Sequence, residues 1–236
     1  MLASLPLRLC LAPVLIPQAV AVRRRALVLP EPRGARRGIA GSGPVLRLLI
    51  AGDSSAAGVG VAHQADALSG QLVAALGHRF TVHWQLEART GDTTADTLAR
   101  LSDLEPAPFD VAVTALGVND VTHQVPAARF RARQAALATL LRNRFGIRAQ
   151  WRAGLPPMHR FPLLPRPLRD VLGAQAGVLD RVLAHASEPG LYHLPFDETR
   201  LDPAMMARDG FHPGAALYTL WAQDLAAAIT AHGVPR

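Results

Sequence analysis

The chain has 236 residues, half of them apolar, which suits one domain with a single large core, or one domain with an appended segment. Residues 1–48 carry the whole excess charge of +7, because they hold eight Arg and one acidic residue, whereas residues 49–236 hold 17 of each kind. The body lacks the basic face that nucleic-acid binding needs, so we expect no nucleic-acid partner, and the single cysteine, Cys10, excludes an intramolecular disulfide and a cysteine-based zinc site.

An apolar run at residues 9–22 precedes three consecutive basic residues, Arg23, Arg24 and Arg25. The run is shorter than the roughly 20 apolar residues of a transmembrane helix, and Pro13 and Pro17 interrupt it. One interpretation is an extension that packs on the body or stays mobile. The other is an interfacial anchor, with residues 9–25 in peripheral contact with a membrane. We expect a location in the cytoplasm or at the inner membrane, with secretion as an alternative because residues 19–21 resemble a cleavage site.

Proline and glycine are frequent in residues 30–44, which predicts a linker and divides the chain into an N-terminal extension, 1–44, and a folded domain, 45–236. Strands are predicted at residues 45–51, 81–88, 110–116, 147–153 and 191–196. Helices are predicted at residues 68–76, 93–101, 127–145, 168–186 and 215–231. This alternation predicts an α/β fold, a parallel sheet with helices on both faces, in which ligands bind at the carboxyl ends of the strands.

Polar residues suited to acyl transfer follow the predicted strands and precede the last helix. Ser54 lies in a Gly-Asp-Ser turn after the first strand and can act as a nucleophile. His212 can act as the base, and Asp209, three residues earlier, can reach it and orient its ring. Backbone N–H groups of Ser54 and Gly91, with the side-chain amide of Asn119, can bind an oxyanion. Each feature alone is also an ordinary turn, surface pair or cap, so their joint occurrence carries the prediction.

Four blocks of the sequence, in order, are LLIAGDSSAAGVGV, ARTGDTTADTL, ALGVNDVT and DGFHPG. They resemble the signature blocks of the SGNH hydrolases, also called GDSL-type lipases and esterases, over roughly residues 45–230. The resemblance implies a flavodoxin-like three-layer α/β/α sandwich and an SGNH hydrolase domain at residues 45–236. It also implies hydrolysis of carboxylic esters, as an esterase, lipase, lysophospholipase or thioesterase, with no cofactor; deacetylation of carbohydrate esters is the alternative.

By the same resemblance, Ser54 is the nucleophile and first oxyanion donor, Gly91 and Asn119 are the other donors, and Asp209 with His212 completes the site. One departure is visible, because Ser55 stands where the family name has leucine and provides a second hydroxyl. The family places the nucleophile second after glycine, which favours Ser54.

Residues 155–167 follow the fourth predicted strand and contain five prolines together with the apolar side chains of Met158, Phe161 and Leu163. We expect this stretch to overhang the site, where those three side chains would form an apolar wall for an acyl chain. The alternative is a stiff surface loop. The remaining histidines show no metal-ligand spacing, so no metal site is predicted.

Three other classes of protein fit parts of the sequence. The α/β-hydrolase elbow G-x-S-x-G is nearly matched, with Ala56 in the last place, but that fold has several strands before its elbow. A dinucleotide fingerprint begins at Gly58, yet His63 stands where its third glycine should be. A non-catalytic binding protein on the same fold is the third class, and reaction with a fluorophosphonate distinguishes it from an enzyme.

Overall fold

The computed structural model describes residues 5–185 and 188–232. Its strands are β1 (Arg37–Ala40), β2 (Val45–Gly52), β3 (Thr81–Ala88), β4 (Val111–Ala115), β5 (Ala149–Ala153) and β6 (Leu191–Leu194). Its helices are α1 (Leu5–Arg25), α2 (Ser54–Ala57), α3 (Leu68–Gly77), α4 (Thr94–Asp103), α5 (Val118–Thr122), α6 (Ala127–Phe145), α7 (Leu168–His185) and α8 (Ala215–His232). Every strand and helix predicted beyond residue 44 is found, within two residues at each end; residue 186 lies outside the described residues.

The strands form one sheet in the order β1-β3-β2-β4-β5-β6, in which β1 alone is antiparallel to its neighbour. The five parallel strands follow the flavodoxin order, with β2 in the position where the chain reverses its direction of winding. The loops after β2 and β4 therefore diverge at adjacent places on one edge of the sheet, which creates a crevice. The predicted flavodoxin-like α/β fold is confirmed.

The two faces of the sheet are covered by different helices, as the alternation along β2 shows. Leu48 and Ile50 are fully buried on the face that α3 and α8 cover. Leu49 and Ala51 are fully buried on the opposite face, against α4 and α6. Burial of such a leucine stabilises the fold by roughly 1.5–3 kcal/mol, so both helical layers are fixed firmly to the sheet. A third apolar cluster lies beneath α7 and includes the loop between β5 and α7, residues 154–167.

The segment predicted as a linker, residues 30–44, contains an edge strand. Its four residues, β1, pair with β3, and Ile39 lies opposite His83. All four are exposed and include Gly38, so they show no alternation of apolar and polar residues that a sequence pattern could detect. Glu31 also binds the body, since it accepts hydrogen bonds from the backbone and hydroxyl of Thr90 and from Arg36. A division of the chain at residue 44 stays a prediction.

The apolar run of residues 9–22 lies within α1, which continues through Pro13 and Pro17. Leu15 and Val22 on one side of α1 pack against the cluster beneath α7. Gln18 accepts a hydrogen bond from the backbone N–H of Leu168 at 3.1 Å. Over the described residues, no helix has the length and apolar character required to cross a membrane.

Candidate active site

The loops after β2 and β4 approach each other closely at the carboxyl edge of the sheet. Gly52, the last residue of β2, permits this approach, because a Cβ there would lie 2.2 Å from the carbonyl oxygen of Ala115. The backbone N–H of Asp53 then donates to the same carbonyl at 3.2 Å. Ser54 follows at once as the first residue of α2, so its side chain is fixed at the crevice between β2 and β4.

Ser54, His212 and Asp209 form a continuous chain of hydrogen bonds. The Ser54 Oγ lies 2.9 Å from the His212 Nε2, and the His212 Nδ1 lies 2.5 Å from the Asp209 Oδ2. The turn that carries His212 is held in place by Ala207, whose backbone N–H donates to the His212 carbonyl oxygen at 2.8 Å. Residues separated by 158 positions in the sequence thus form a hydroxyl, a ring that can accept its proton and a carboxylate that can orient the ring.

The Asp209 carboxylate is buried yet well supplied with hydrogen-bond donors. Burial opposes its ionisation, but the His212 side chain and the backbone N–H groups of His212 and Phe211 donate to it, and together they hold the pKa of Asp209 below its ordinary value. The carboxylate is therefore charged throughout the neutral range. A charged Asp209 fixes the His212 tautomer that carries its proton on Nδ1, which leaves Nε2 free to accept a proton from Ser54.

Asp53 is a second buried acid beside the site, and its carboxylate binds Ser55. Its Oδ1 accepts hydrogen bonds from the Ser55 backbone N–H at 2.9 Å and from the Ser55 hydroxyl at 2.7 Å. Burial raises the pKa of Asp53 to about 6, although the Ser55 hydrogen bonds and nearby His212 partly oppose this. The Ser55 hydroxyl thus binds Asp53, whereas the Ser54 hydroxyl lies next to the His212 Nε2.

Three candidate oxyanion donors lie on three neighbouring loops. The Asn119 amide donates one hydrogen to the carbonyl oxygen of Asp92 at 2.9 Å, which leaves its second hydrogen for a ligand. Among residues 5–185 and 188–232, no protein acceptor pairs with the backbone N–H of Ser54 or Gly91. Gly91 has φ +90° with open space where a Cβ would be, so the position needs glycine for its backbone conformation.

Two carboxylates brace the loops that carry Gly91 and Asn119. Thr93 and Asp96 form a capping box at the start of α4, directly after the Gly91 loop. The buried Asp120, next to Asn119, accepts hydrogen bonds from the Thr94 backbone N–H at 3.0 Å and from the Thr94 hydroxyl at 2.9 Å. Burial raises the pKa of Asp120 above its ordinary value, against the lowering effect of the Thr94 bonds and of Arg133. The two loops are therefore tied to each other through Asp120 and Thr94.

An apolar cavity opens beside Ser54 and His212. The space around it, including the open solvent at its mouth, amounts to about 690 Å³. Its apolar side chains come from four segments of the chain: Leu116, Val118, Leu155, Phe161, Phe196, Leu201, Met206, Phe211, Leu217 and Trp221. The Phe161 and Phe211 rings meet edge to face, with centroids 5.2 Å apart. The carbonyl carbon of a substrate placed next to the Ser54 Oγ would therefore lie beside an apolar cavity that can hold an apolar group.

The structure corrects part of the predicted apolar wall. Of the three side chains named for it, Phe161 lines the cavity. Met158 is fully buried in the cluster beneath α7, because the chain turns at Met158–Arg160 and directs this side chain inward. Leu163 is not among the residues that line the cavity. Its backbone N–H donates to the Gly210 carbonyl oxygen at 3.2 Å.

Much of the lining was missed by the sequence prediction. Phe196 lies just beyond β6 at the carboxyl edge of the sheet, so its position was a usable signal. Leu201 and Met206 lie in an irregular segment with no periodicity, where the sequence offered no signal. Within the part of the chain that the structure describes, no group of three or more His, Cys, Asp or Glu side chains could hold a metal ion.

The family model described as the GDSL-like lipase/acylhydrolase family matches residues 50–220 of this chain. The match covers more than half of the sequence, and the chain belongs to this family. The resemblance seen in the four sequence blocks is thereby confirmed, and the class of protein that the fold and family define is a GDSL-type hydrolase with a flavodoxin-like α/β sheet. The search of curated proteins found no match.

Several solved structures share the fold. TesA is 23% identical and has a TM-score of 0.60, with 78% of this chain and 98% of that chain covered. The lipase/acylhydrolase from Enterococcus faecalis is 21% identical, with a TM-score of 0.57 and coverages of 81% and 99%. Axe2, an acetylxylan esterase from Geobacillus stearothermophilus, is 18% identical, with a TM-score of 0.57 and coverages of 80% and 95%. At these identities the similarity concerns the fold.

Proposed function

We propose that this protein hydrolyses carboxylic esters by covalent serine catalysis, with Ser54 as nucleophile, His212 as general base and Asp209 as the residue that orients the base. The observation that carries the proposal is the pair of distances along this chain, 2.9 Å from the Ser54 Oγ to the His212 Nε2 and 2.5 Å from the His212 Nδ1 to the Asp209 Oδ2. The first distance allows direct proton transfer from Ser54 to His212, and the second allows Asp209 to hold the ring in the required orientation.

In the first half of the reaction, the Ser54 Oγ attacks the ester carbonyl carbon while its proton passes to the His212 Nε2. The tetrahedral intermediate collapses, the bond to the leaving alcohol or thiol breaks, and the leaving group takes the proton from His212. In the second half, a water molecule gives a proton to His212 and attacks the acyl-enzyme. The acid product leaves, and Ser54 recovers its proton.

The negative charge on the carbonyl oxygen needs donors already in place. The Ser54 and Gly91 backbone N–H groups and the free hydrogen of the Asn119 amide are the candidates, because each lacks a competing protein acceptor among the described residues. Donors held by a folded scaffold need no reorganisation as charge develops, so each contributes a rate factor of about 10²–10³.

The apolar cavity supports an acyl chain longer than acetyl as the preferred substrate group. Phe161, Phe196, Phe211 and Trp221 offer a ligand apolar contact, and each buried methylene contributes about 0.8 kcal/mol. A carbohydrate-ester deacetylase would need polar groups for its sugar, and few line this cavity. We therefore place esters or thioesters of apolar acyl chains ahead of acetylated carbohydrates.

The nucleophile is tested by reaction with a fluorophosphonate probe, with Ser55→Ala as the matched control for Ser54→Ala. We expect the wild type and Ser55→Ala to be labelled and Ser54→Ala to be unlabelled although folded. An unlabelled wild type would indicate a non-catalytic binding protein. Loss of labelling in Ser55→Ala alone would assign the nucleophile to Ser55.

The substrate class is tested with p-nitrophenyl esters of increasing chain length, with acetylated xylo-oligosaccharides in parallel. We expect kcat/KM to rise from acetate towards medium-length chains, because each added methylene enters the apolar cavity. Highest activity on acetate and on the acetylated oligosaccharides would favour the deacetylase instead.

A further inference from the structure

Helix α1 has its polar and apolar sides reversed relative to an ordinary surface helix. Before Arg23, its polar side chains beyond residue 7 are Arg8 and Gln18, and both bind the body. Arg8 donates to the side-chain oxygens of Gln124, at 2.7 Å, and of Gln175, while Gln18 donates to the Arg166 carbonyl oxygen at 2.6 Å.

The side of α1 that faces away from the body is apolar. The exposed residues between positions 8 and 22 form this outer face: Leu9, Cys10, Pro13, Val14, Ile16, Pro17, Ala19 and Val20. Leu9 and Ile16 are 65% and 63% exposed. Such a continuous apolar surface is unfavourable in water and marks a contact with another apolar phase.

The positive charge at the end of α1 indicates that the apolar outer face contacts a lipid layer. Arg23, Arg24 and Arg25 are all exposed in the last turn of the helix, directly beyond the outer face. Apolar side chains flanked by exposed arginines are typical of helices that lie in the boundary of an anionic lipid layer. A second copy of this chain is a poorer partner, because residues 1–48 carry eight Arg against one acidic residue and two such segments repel each other.

Helix α1 is bound to two segments that also contribute residues to the candidate active site. Arg8 binds Gln124, which follows α5, the helix that carries Val118 and Asn119. Gln18 binds Arg166 and Leu168 at the end of the loop that contributes Leu155 and Phe161 to the cavity. Two of the segments that hold α1 are thus parts of the chain that also contribute to the cavity.

We propose that the outer face of α1 docks on an anionic lipid surface and thereby holds the cavity next to that surface. The inference rests on the proposed function only in that the cavity would then receive amphiphilic esters from the lipid layer; the docking itself requires only α1.

The docking is tested by co-sedimentation of the full chain with vesicles of phosphatidylcholine, with and without phosphatidylglycerol. We expect binding to the anionic vesicles, weakened by added salt. The double variant Ile16→Gln/Val20→Gln removes apolar contact, and Arg23→Gln/Arg24→Gln/Arg25→Gln removes charge. Each should lower the partition coefficient by at least about tenfold, because each basic side chain near the surface contributes about a factor of five and the two apolar side chains lose their burial in the lipid.

Matched controls keep the comparison specific. Ile39→Gln/Val45→Gln changes the same residue types at exposed positions on the sheet, since Ile39 and Val45 are 66% and 59% exposed, and it should bind like the wild type. Arg37→Gln/Arg79→Gln/Arg181→Gln removes the same charge from other exposed positions and should have a much smaller effect than the α1 triple variant.

Two outcomes would overturn the proposal. One is a wild type that hydrolyses soluble esters and fails to bind anionic vesicles. The other is a wild type that is dimeric by sedimentation velocity and becomes monomeric in Ile16→Gln/Val20→Gln, which would make the outer face a contact between copies. The proposed function is tested separately, by fluorophosphonate labelling of the same protein samples in the absence of vesicles.

Discussion

The Asn119 amide has two hydrogens, of which one is bound to the Asp92 carbonyl oxygen, and we propose that the other binds a substrate oxygen. The first fixes the direction of the second, so the donor is oriented before substrate arrives. We predict that Asn119→Ala lowers kcat by about 10²–10³ with little change in KM, because this hydrogen bond strengthens as charge develops in the transition state. Steady-state kinetics on a soluble ester measure both constants.

Asn143→Ala is the matched control for this prediction. Asn143 is exposed on α6 and makes no contact with the cavity, so its replacement should leave both constants unchanged. An unaltered kcat in Asn119→Ala would show that Asn119 does not bind the oxyanion, so that only the backbone N–H groups of Ser54 and Gly91 would remain as candidate donors.

Asp53 gives a prediction about stability and pH. Burial raises the pKa of Asp53 to about 6 in the folded protein, from 3.8 in an unperturbed chain. Between pH 3.8 and about pH 6, Asp53 is protonated in the folded state and ionised in the unfolded chain. The contribution of Asp53 to the free energy of unfolding therefore falls as pH rises through this range and is lowest above the folded pKa. We predict that Asp53→Asn removes this fall, and that its stability relative to the wild type increases by about 2–3 kcal/mol from pH 4 to pH 7.

Urea unfolding of both proteins at a series of pH values measures this difference. The pH effects of the other acids are common to the two proteins and cancel in it. A stability difference that is constant between pH 4 and pH 7 would mean that Asp53 does not change its protonation in this range.

At the scale of the element, the N-terminal cap of α4 holds the loop that carries Gly91. Its capping box unites Thr93, whose hydroxyl donates to Asp96 Oδ2 at 2.6 Å, with Asp96, whose backbone N–H points back to the Thr93 oxygen. The Gly91 loop ends where this cap begins, so the cap fixes the direction from which the Gly91 N–H approaches the site.

We predict that Thr93→Ala destabilises the protein by about 1 kcal/mol, because the N-terminal N–H groups of α4 lose their acceptor. Thr93→Ser keeps the hydroxyl and should stay within a few tenths of a kcal/mol of the wild type. Chemical denaturation separates the two variants. Equal loss in both would show that the threonine methyl group, and not the hydrogen bond, contributes the stability.

At the scale of the whole molecule, α1 connects the N-terminal segment to the cavity. Its inner residues, Leu15 and Val22, pack against the cluster beneath α7, whereas Ile16 and Val20 on the outer face have no such support. We predict that Leu15→Ala/Val22→Ala lowers the free energy of unfolding by about 2 kcal/mol, as expected for partly buried side chains. Ile16→Ala/Val20→Ala should change it little.

Thermal and urea unfolding of the two double variants decide between the faces of α1. The pairs are closely matched in residue type, so a difference reports their position on the helix. A larger loss from the outer pair would reverse the assignment of the two faces and would also remove the basis for docking on lipid.

The sequence by itself determined the local elements and the family. The five parallel strands and the helices between them were predictable, because strands such as β2 and β4 are short apolar runs, Thr93 caps the start of α4 and Gly146 ends α6. The residues now found at the site, Ser54, Asp209, His212, Gly91 and Asn119, were also named from sequence, since parallel strands bring their carboxyl ends together. Their roles in catalysis stay proposals.

The tertiary structure alone decided where weak or ambiguous segments lie. Strand β1 forms because β3 offers an open edge, not because its four exposed residues favour a strand. The cavity lining around Phe161 depends on how irregular segments fold over the sheet, which no periodicity encodes. Which side of α1 faces the body depends on the partners of Arg8 and Gln18, which lie 116 to 167 positions away along the chain. Contacts of such long range arise only when the whole chain is packed.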